Sequence, residues 1–392
     1  MKRKEEKRSL LIPPTSRPLD DLQWPDIEAH NHPHDLELMA SQRGVYFALA
    51  ALLLCVLIYF LPSPSDLSLE DLSPEYSQWL SRIAPSLTVV QTLWTPRLHP
   101  ITARDFINPS GTNFSIEYEP VFRKPMGKKL LIMDVDNRPL DGPGGIANRS
   151  KLDLPEISYN TIGRLDHFMF ATIHGYDYKI FKAPSPQGLH GTWSKVSAIR
   201  QALQDYEIVV FLDADAIIRY PHLPFEWLFN YWGINENTRV AMALDPDEPQ
   251  NKDSQGVTYL NTGFVVAQQS LETNELFDAW ESCPSEVRYP NCSWWAEEWP
   301  HEQAAFGEYL RYDFEPDDVK VLPCAEANGY PELENSTCHG EFIRHYWTAK
   351  HLVPAAVDYS IAQYSIREAH SIFHQDLEKL LVNMTGPVSP HY

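Results

Sequence analysis

The sequence predicts an α/β fold, a mostly parallel sheet flanked by helices, and three observations carry that prediction. Residues 208–212 (Ile-Val-Val-Phe-Leu) are apolar with no polar alternation, as a strand buried on both faces requires. From residue 129 onward, strand-like and helix-like stretches alternate, the order expected of parallel strands joined by crossover helices. The 208–212 run then ends in Asp213-Ala214-Asp215, two carboxylates at the carboxyl end of a strand, where open α/β sheets bind their ligands. On an extended chain, residues two apart point to the same side, so Asp213 and Asp215 can share one divalent cation or one nucleotide. Two further D-x-D triplets occur, Asp134-Val135-Asp136 and Asp245-Pro246-Asp247, and each of the three taken alone is equally a solvated strand end.

The chain has 392 residues, enough for one large domain or two average ones. Residues 1–43 open with Lys2-Arg3-Lys4 and Lys7-Arg8 and continue rich in Pro and acids without a period, which predicts a disordered cytosolic tail. His30, His32 and His34 have no neighbouring ligands there and belong to that polar run. Residues 44–61 are apolar without a charge and just long enough to span hydrocarbon. Basic residues precede them, Arg43 included, and Asp66, Glu70 and Asp71 follow, so the positive-inside rule predicts an uncleaved signal anchor, one transmembrane helix of type II orientation. A buried core helix would carry a polar face, and this stretch has none. Residues 62–128, dotted with Pro and Ser, read as a lumenal stem. Sequons at Asn113, Asn148, Asn291, Asn335 and Asn383 all lie beyond the span, as glycosylated lumenal surface would.

Within 129–392, residues 129–134 predict the first core strand, followed by a Gly/Pro-rich loop at 139–145. A helix over 156–175 places Ile162, Leu165, Phe168, Met169 and Ile173 at helical spacing, and 178–181 forms the second strand. Thr192 caps a helix through Asp205 whose apolar face is Trp193, Val196, Ile199 and Leu203. Beyond the central strand come strands at 239–244 and 260–266, then helices at 273–280 and 301–312. Cys55 lies in the span, and the other four cysteines fall in what would be an oxidising lumen. Three pairings are open. Loop length favours Cys283 with Cys292 and Cys324 with Cys338, and the zinc alternative lacks a C-x-x-C spacing.

A net charge of −21 with no compensating basic stripe excludes nucleic acid as a partner. So acidic a chain needs a metal or local Lys and Arg to hold an anionic ligand. Its 11 Trp, 19 Tyr and 17 Phe suit sugar-binding platforms, although most would fill the core.

Five motifs give the sharpest signal: Trp193-x-Lys195 with Ile199-Arg200, Phe211-Leu212-Asp213-Ala214-Asp215-Ala216, Leu260-Asn261-Thr262-Gly263, Glu302-Gln303, and His345-x-Trp347-x-x-Lys350. In order and spacing, over roughly 129–350, they resemble glycosyltransferase family 34, the fungal galactosyl- and α-1,6-mannosyltransferases, which are similar to plant xyloglucan xylosyltransferases. The resemblance implies a GT-A type nucleotide-sugar transferase domain over 129–392 on the lumenal side of a Golgi membrane. It implies transfer, with retention, of mannose or galactose from GDP-mannose or UDP-galactose to a glycan acceptor, with Mn²⁺ as cofactor. Asp215 would ligate the metal, Asp213 the metal or the ribose, and His345 would be the third protein ligand, its imidazole favouring Mn²⁺ over Mg²⁺ or Ca²⁺. Lys195 and Lys350 match lysines near the diphosphate, where fixed charge stabilises the leaving group. Asn261, Thr262 and Gly263, at a strand end, would face the sugar, the glycine admitting close backbone approach and the asparagine offering donor and acceptor. Gln303 matches a glutamine on the sugar's β-face, where an amide carbonyl supports an oxocarbenium-like centre. Plant relatives carry an acid pair before that glutamine and this chain has His301-Glu302, so Glu302 either assists catalysis or caps the helix. The alternative function is a non-catalytic subunit of a Golgi mannosyltransferase complex, because a fold can persist without activity. A lumenal lectin would have no use for lysines facing a diphosphate.

Overall fold

The computed structural model describes residues 89–148, 157–184, 187–314, 317–329 and 336–380. The predicted tail 1–43, the predicted span 44–61, the stem up to residue 88, and the sequons at Asn335 and Asn383 lie outside the described residues. Among the described residues no helix is long and apolar enough to cross a membrane.

Helix α1 (Val89–Trp94) and a two-stranded hairpin, β1 (Asp105–Ile107) and β2 (Asn113–Ser115), come first. Both fall in the stretch predicted as stem, and here the structure corrects the expectation. Trp94, Phe106 and Ile116 are buried, and the Trp227 indole N–H donates to the Ala103 carbonyl at 2.8 Å. Isolated large side chains anchor this segment, so it folds with the domain without showing a period, and the folded unit begins before Lys128.

The central sheet contains β3 (Leu130–Asp136), β4 (Asp177–Lys182), β5 (Ile208–Leu212), β7 (Val240–Leu244), β8 (Leu260–Gln268) and β9 (Val319–Leu322). Their spatial order is β4-β3-β5-β8-β7-β9. Pairings β3 with β4, β3 with β5 and β7 with β9 are parallel, whereas β8 runs antiparallel to both neighbours. The sheet is therefore mixed but mostly parallel. Every residue of β5 is buried, as its unbroken apolar run predicts. Outside the sheet, β6 (Ala216–Ile218) pairs antiparallel with β10 (Ile343–His345).

Alternate side chains face opposite sides of a strand, so each strand feeds two cores. Leu130, Ile132, Val210 and Leu212 join Phe170 of α2 (Tyr159–His174) on one face, and Leu131, Met133, Val209 and Phe211 join Val196 and Ile199 of α3 (Ser194–Ala202) on the other. Helix α4 (Phe225–Trp232), absent from the sequence prediction, adds Phe225, Trp227, Phe229 and Trp232 to the first core. Helices α5 (Leu271–Glu281) and α6 (Glu302–Glu308) complete the second, and the short α7 (Cys324–Ala327) lies at a disulfide. Helix α2 starts on Ser158, whose hydroxyl accepts from Thr161 N–H, and stops at Gly175, where φ is +75°. The chain ends in α8 (Val353–Gln375) and α9 (Leu377–Leu380). Disulfides join Cys283 to Cys292 and Cys324 to Cys338, with Cα atoms 5.6 Å and 5.0 Å apart.

Candidate active site

Asp213 and Asp215 follow β5 directly, in the turn between β5 and β6. That turn is seated by α2. A Cβ on Gly163 would come within 1.8 Å of the Ala214 carbonyl oxygen, so only glycine lets the helix lie this close to the turn. The reversal of β8 supplies the next residues. Because it runs against β5, its leading end, not its trailing end, meets the carboxyl edge of the sheet, and Asp213 N–H donates to the Gly263 carbonyl at 2.8 Å. Asn261, Thr262 and Gly263 thus open a strand rather than close one.

The ladder of β6 with β10 brings in His345, whose register partner is Ala216, while Tyr346 N–H donates to the Asp215 carbonyl at 2.8 Å. His345 Nε2 lies 3.5 Å from Asp215 Oδ1 and 3.9 Å from Asp213 Oδ2. Ligand atoms from these three residues all fall within 4.8 Å of one another.

Hydrogen bonding sets the tautomer of His345. The Asn261 amide nitrogen donates to Asp245 Oδ1 at 2.8 Å and its oxygen accepts from Gly263 N–H at 2.8 Å, which fixes which end is oxygen. That oxygen is 3.1 Å from His345 Nδ1, so Nδ1 carries a proton and donates. In neutral imidazole the Nε2 lone pair then faces the two carboxylates, a second-layer arrangement characteristic of metal-ligating histidines. Three electronegative atoms converging on one point fit a divalent cation, with two carboxylate oxygens and one imidazole nitrogen as its protein donors.

Two lysines flank the cluster. Lys350 Nζ is 3.0 Å from Asp215 Oδ2. Burial pushes the Asp215 carboxyl up, but His345, where its imidazole carries charge, and Lys350 outweigh it and hold the group well below the usual carboxylate range. Lys195, buried, lies 3.1 Å from Asp213 Oδ1, 3.4 Å from Glu302 Oε1 and 3.3 Å from the Thr262 carbonyl. Burial works to lower its pKa, yet Asp213 and Glu302 raise it above the ordinary value. Glu302 is the converse case: burial raises its pKa, but Lys195 and hydroxyl donors bring it below normal. Both groups are ionised, a buried pair in which loss of Lys195 strands the Glu302 charge, whereas loss of Glu302 leaves Lys195 with Asp213.

Glu302 sits in the first turn of α6, and its Oε1 accepts from the Thr262 hydroxyl at 2.8 Å and lies 3.4 Å from Lys195 Nζ, so it neutralises that lysine. Gln303, next to it, is held at both ends: Oε1 accepts from Thr262 N–H at 3.2 Å and Nε2 donates to Asp245. Gly263 has a more immediate role than admitting a sugar. A Cβ there would meet His345 Cε1 at 2.2 Å, so the glycine makes room for the imidazole.

Asp213, Asp215 and His345, the two lysines, Asn261 to Gly263, Glu302 and Gln303 line one cleft of about 660 Å³, in the size range of small-molecule sites. No family model matches the chain. No curated protein matches it either. Among solved structures, a glycosyltransferase involved in the glycosylation of the major capsid of PBCV-1 aligns over 58% of this chain and 98% of its own, at 15% identity and a TM-score of 0.41. A protein from STIV aligns over 50% of this chain and 81% of its own, at 13% identity and a TM-score of 0.28. Both likenesses are too distant to assign an activity, so the cleft is read from its own residues.

The other two D-x-D triplets are engaged differently. Asp136 is held by Arg138 at 2.9 Å and by Arg164, and Asp134 by His167 at 3.1 Å and the Tyr178 hydroxyl at 2.8 Å, so arginine and imidazole already neutralise that pair. Asp245 is buried beneath the cleft and accepts from Asn261, Gln303 and Asn328, which makes it a positioning residue. Sequence reasoning had no means to rank it, because its role depends on which strand ends lie side by side. The cleft also holds a stacked pair, His190 and His301, with ring centroids 3.7 Å apart, and the half-exposed Trp299. His301 has φ +59°, a region that favours glycine, and such outliers concentrate at functional sites. Of the described sequons, Asn113 and Asn291 are exposed and Asn148 is half-buried.

Proposed function

We propose that this chain is a metal-dependent, retaining glycosyltransferase of the family 34 type, with a GT-A fold, that moves mannose or galactose from a nucleotide-sugar donor to a glycan acceptor. The observation that carries the proposal is the convergence of Asp213, Asp215 and His345 between two lysines in a cleft at the carboxyl edge of the sheet. When bound, a divalent cation would supply positive charge to a leaving diphosphate without proton transfer. Asp213, Asp215 and His345 would hold it, and Asn261 keeps the His345 tautomer suited to that task. Lys350, half-exposed at the cleft, gives a fixed cation to the departing phosphate oxygens. The Gln303 amide oxygen accepts one hydrogen bond and keeps a second lone pair, enough to stabilise developing charge at an anomeric carbon but a poor nucleophile. Asp245 holds that amide in place.

Donor hydrolysis by the purified protein tests the proposal before any acceptor is known. With UDP- and GDP-hexoses screened in turn, one donor should release nucleoside diphosphate in Mn²⁺ and stop on chelation. No release from any donor would speak for the non-catalytic subunit.

The orientation is part of the proposal, with the folded domain in the Golgi lumen; the sequons beyond residue 61 motivate it. Endoglycosidase should increase gel mobility, and protease added to intact vesicles should remove only the N-terminal tail. Loss of the folded domain under those conditions contradicts it.

A further inference from the structure

The segment that leads into α6 carries two tryptophans that the fold leaves open, Trp294 and Trp299, 63% and 55% exposed. Trp299 lines the cleft, as do the stacked rings of His190 and His301, which lie parallel to within 7°. Single exposed apolar side chains are ordinary, but an indole left half-open in the wall of a cleft is placed to meet what enters it. The segment is also held in position. His190 N–H donates to the Ala296 carbonyl at 2.7 Å, the Trp193 indole N–H to the Trp295 carbonyl at 3.0 Å, and His301 N–H to the Glu298 carbonyl at 2.8 Å.

Charge narrows what this surface can take. Glu297 and Glu298, exposed just before Trp299, line a second depression of about 480 Å³ together with Trp294 and Glu286. No Lys, Arg or His is among the described residues that line it. Burial, and then the neighbouring His190, lower the pKa of His301, so that ring is neutral. In a chain of net charge −21, such a surface repels an anionic ligand. Carboxylates accept hydrogen bonds from hydroxyl groups, and the negative face of an aromatic ring attracts the weakly positive C–H groups of a pyranose.

We infer that Trp299, with the His190 and His301 pair beside it, is the acceptor subsite, and that the acceptor is an uncharged hexose oligosaccharide whose further units extend over Trp294. The inference rests on the transferase reading above. In that reading Gln303 meets the anomeric carbon, and it follows Trp299 on one short segment, with Gln303 N–H donating to the Pro300 carbonyl at 3.3 Å. The tryptophan therefore belongs to the sugar end of the donor. The phosphate end is marked by Lys350, whose Nζ lies 5.4 Å from the centre of the Tyr159 ring, on other elements of the fold.

Titration calorimetry of the full chain in detergent, with Mn²⁺ and UDP or GDP present, tests the assignment with mannotriose, galactotriose and phosphorylated mannotriose as probes. One neutral triose should bind, and the phosphorylated one should bind about tenfold more weakly or worse than mannotriose. Trp299→Ala should weaken the neutral triose by about tenfold or more, and Trp299→Phe, which keeps an aromatic face, should restore most of that loss. Both variants should bind the nucleotide and melt as the wild type does, because the side chain is half-exposed. Equal triose affinity in Trp299→Ala, or tighter binding of the phosphorylated probe, would overturn the inference. Nucleotide binding lost in Trp299→Ala would overturn it too, by reassigning the indole to the donor. A wild type that binds UDP or GDP but neither neutral triose sinks this inference alone, whereas one that binds no nucleotide sinks the transferase reading with it.

Discussion

Replacing Asp215 by Asn is expected to leave the protein folded and to lower metal-dependent donor turnover by about a hundredfold to a thousandfold. The substitution keeps the side-chain volume and removes one carboxylate from a cluster whose ligand atoms lie within 4.8 Å of one another. The backbone bond from Tyr346 N–H to the Asp215 carbonyl is untouched, so the β6–β10 ladder that seats His345 persists. Loss of one preorganised electrostatic contact at a reacting centre costs about 3–4 kcal/mol, which sets the predicted rate effect. Nucleotide release measured at saturating Mn²⁺, with circular dichroism as the folding control, reads the outcome. Wild-type turnover in a folded variant would remove the strand end from the chemistry and bring the subunit reading forward.

The second large effect is expected from Gly263→Ala, which adds a single methyl group. That methyl would lie 2.2 Å from His345 Cε1 and 2.8 Å from Nε2, and the ring cannot retreat without leaving Asn261 and the two aspartates. Overpacking of this kind costs about 1–3 kcal/mol of stability, and the displaced imidazole should weaken Mn²⁺ binding as well. A double-mutant cycle separates this cause from a general backbone effect. In a His345→Ala background the same methyl enters the space the ring has left, so its cost should fall to about 0.5 kcal/mol or less. An equal penalty in both backgrounds would show that the glycine serves the strand and not the histidine.

How far the sequence shows this arrangement depends on the kind of information each part needs. Strands β3 and β5 are legible because strands buried on both faces write themselves as apolar runs, Leu130 to Met133 in β3 and Ile208 to Leu212 in β5. The direction of β8 is not, since periodicity says that a segment is extended but not which way it runs. Residues 260–266 read as a strand from the sequence, but only the pairing of β8 against β5 puts its first residues, Asn261 to Gly263, at the carboxyl edge of the sheet. Helix α8 escaped notice for another reason. With Val353 and Val357 inside and Ile366 and Phe373 outside, its apolar residues occupy two opposite faces and leave no amphipathic signal.

Within the cleft, ordered motif spacing pointed to Asp213, Asp215, Lys195, His345 and Lys350, and the folded chain brings all five together. What the motifs do not show is the layer beneath. Asp245 reads as a solvated strand end until β7 and β8 are paired, when it becomes the acceptor that orients Asn261 and Gln303. Gly163 is an unremarked residue inside a helix until the Ala214 carbonyl is placed against it.

The central claim is that one divalent cation sits between Asp213, Asp215 and His345. Crystals of the folded protein soaked with Mn²⁺ and a nucleoside diphosphate, measured for anomalous scattering, test it without reliance on turnover. The account predicts a single strong peak at bonding distance from both aspartates and from His345 Nε2. A peak at Asp134 and Asp136, or none in the cleft while the nucleotide is bound, would contradict it.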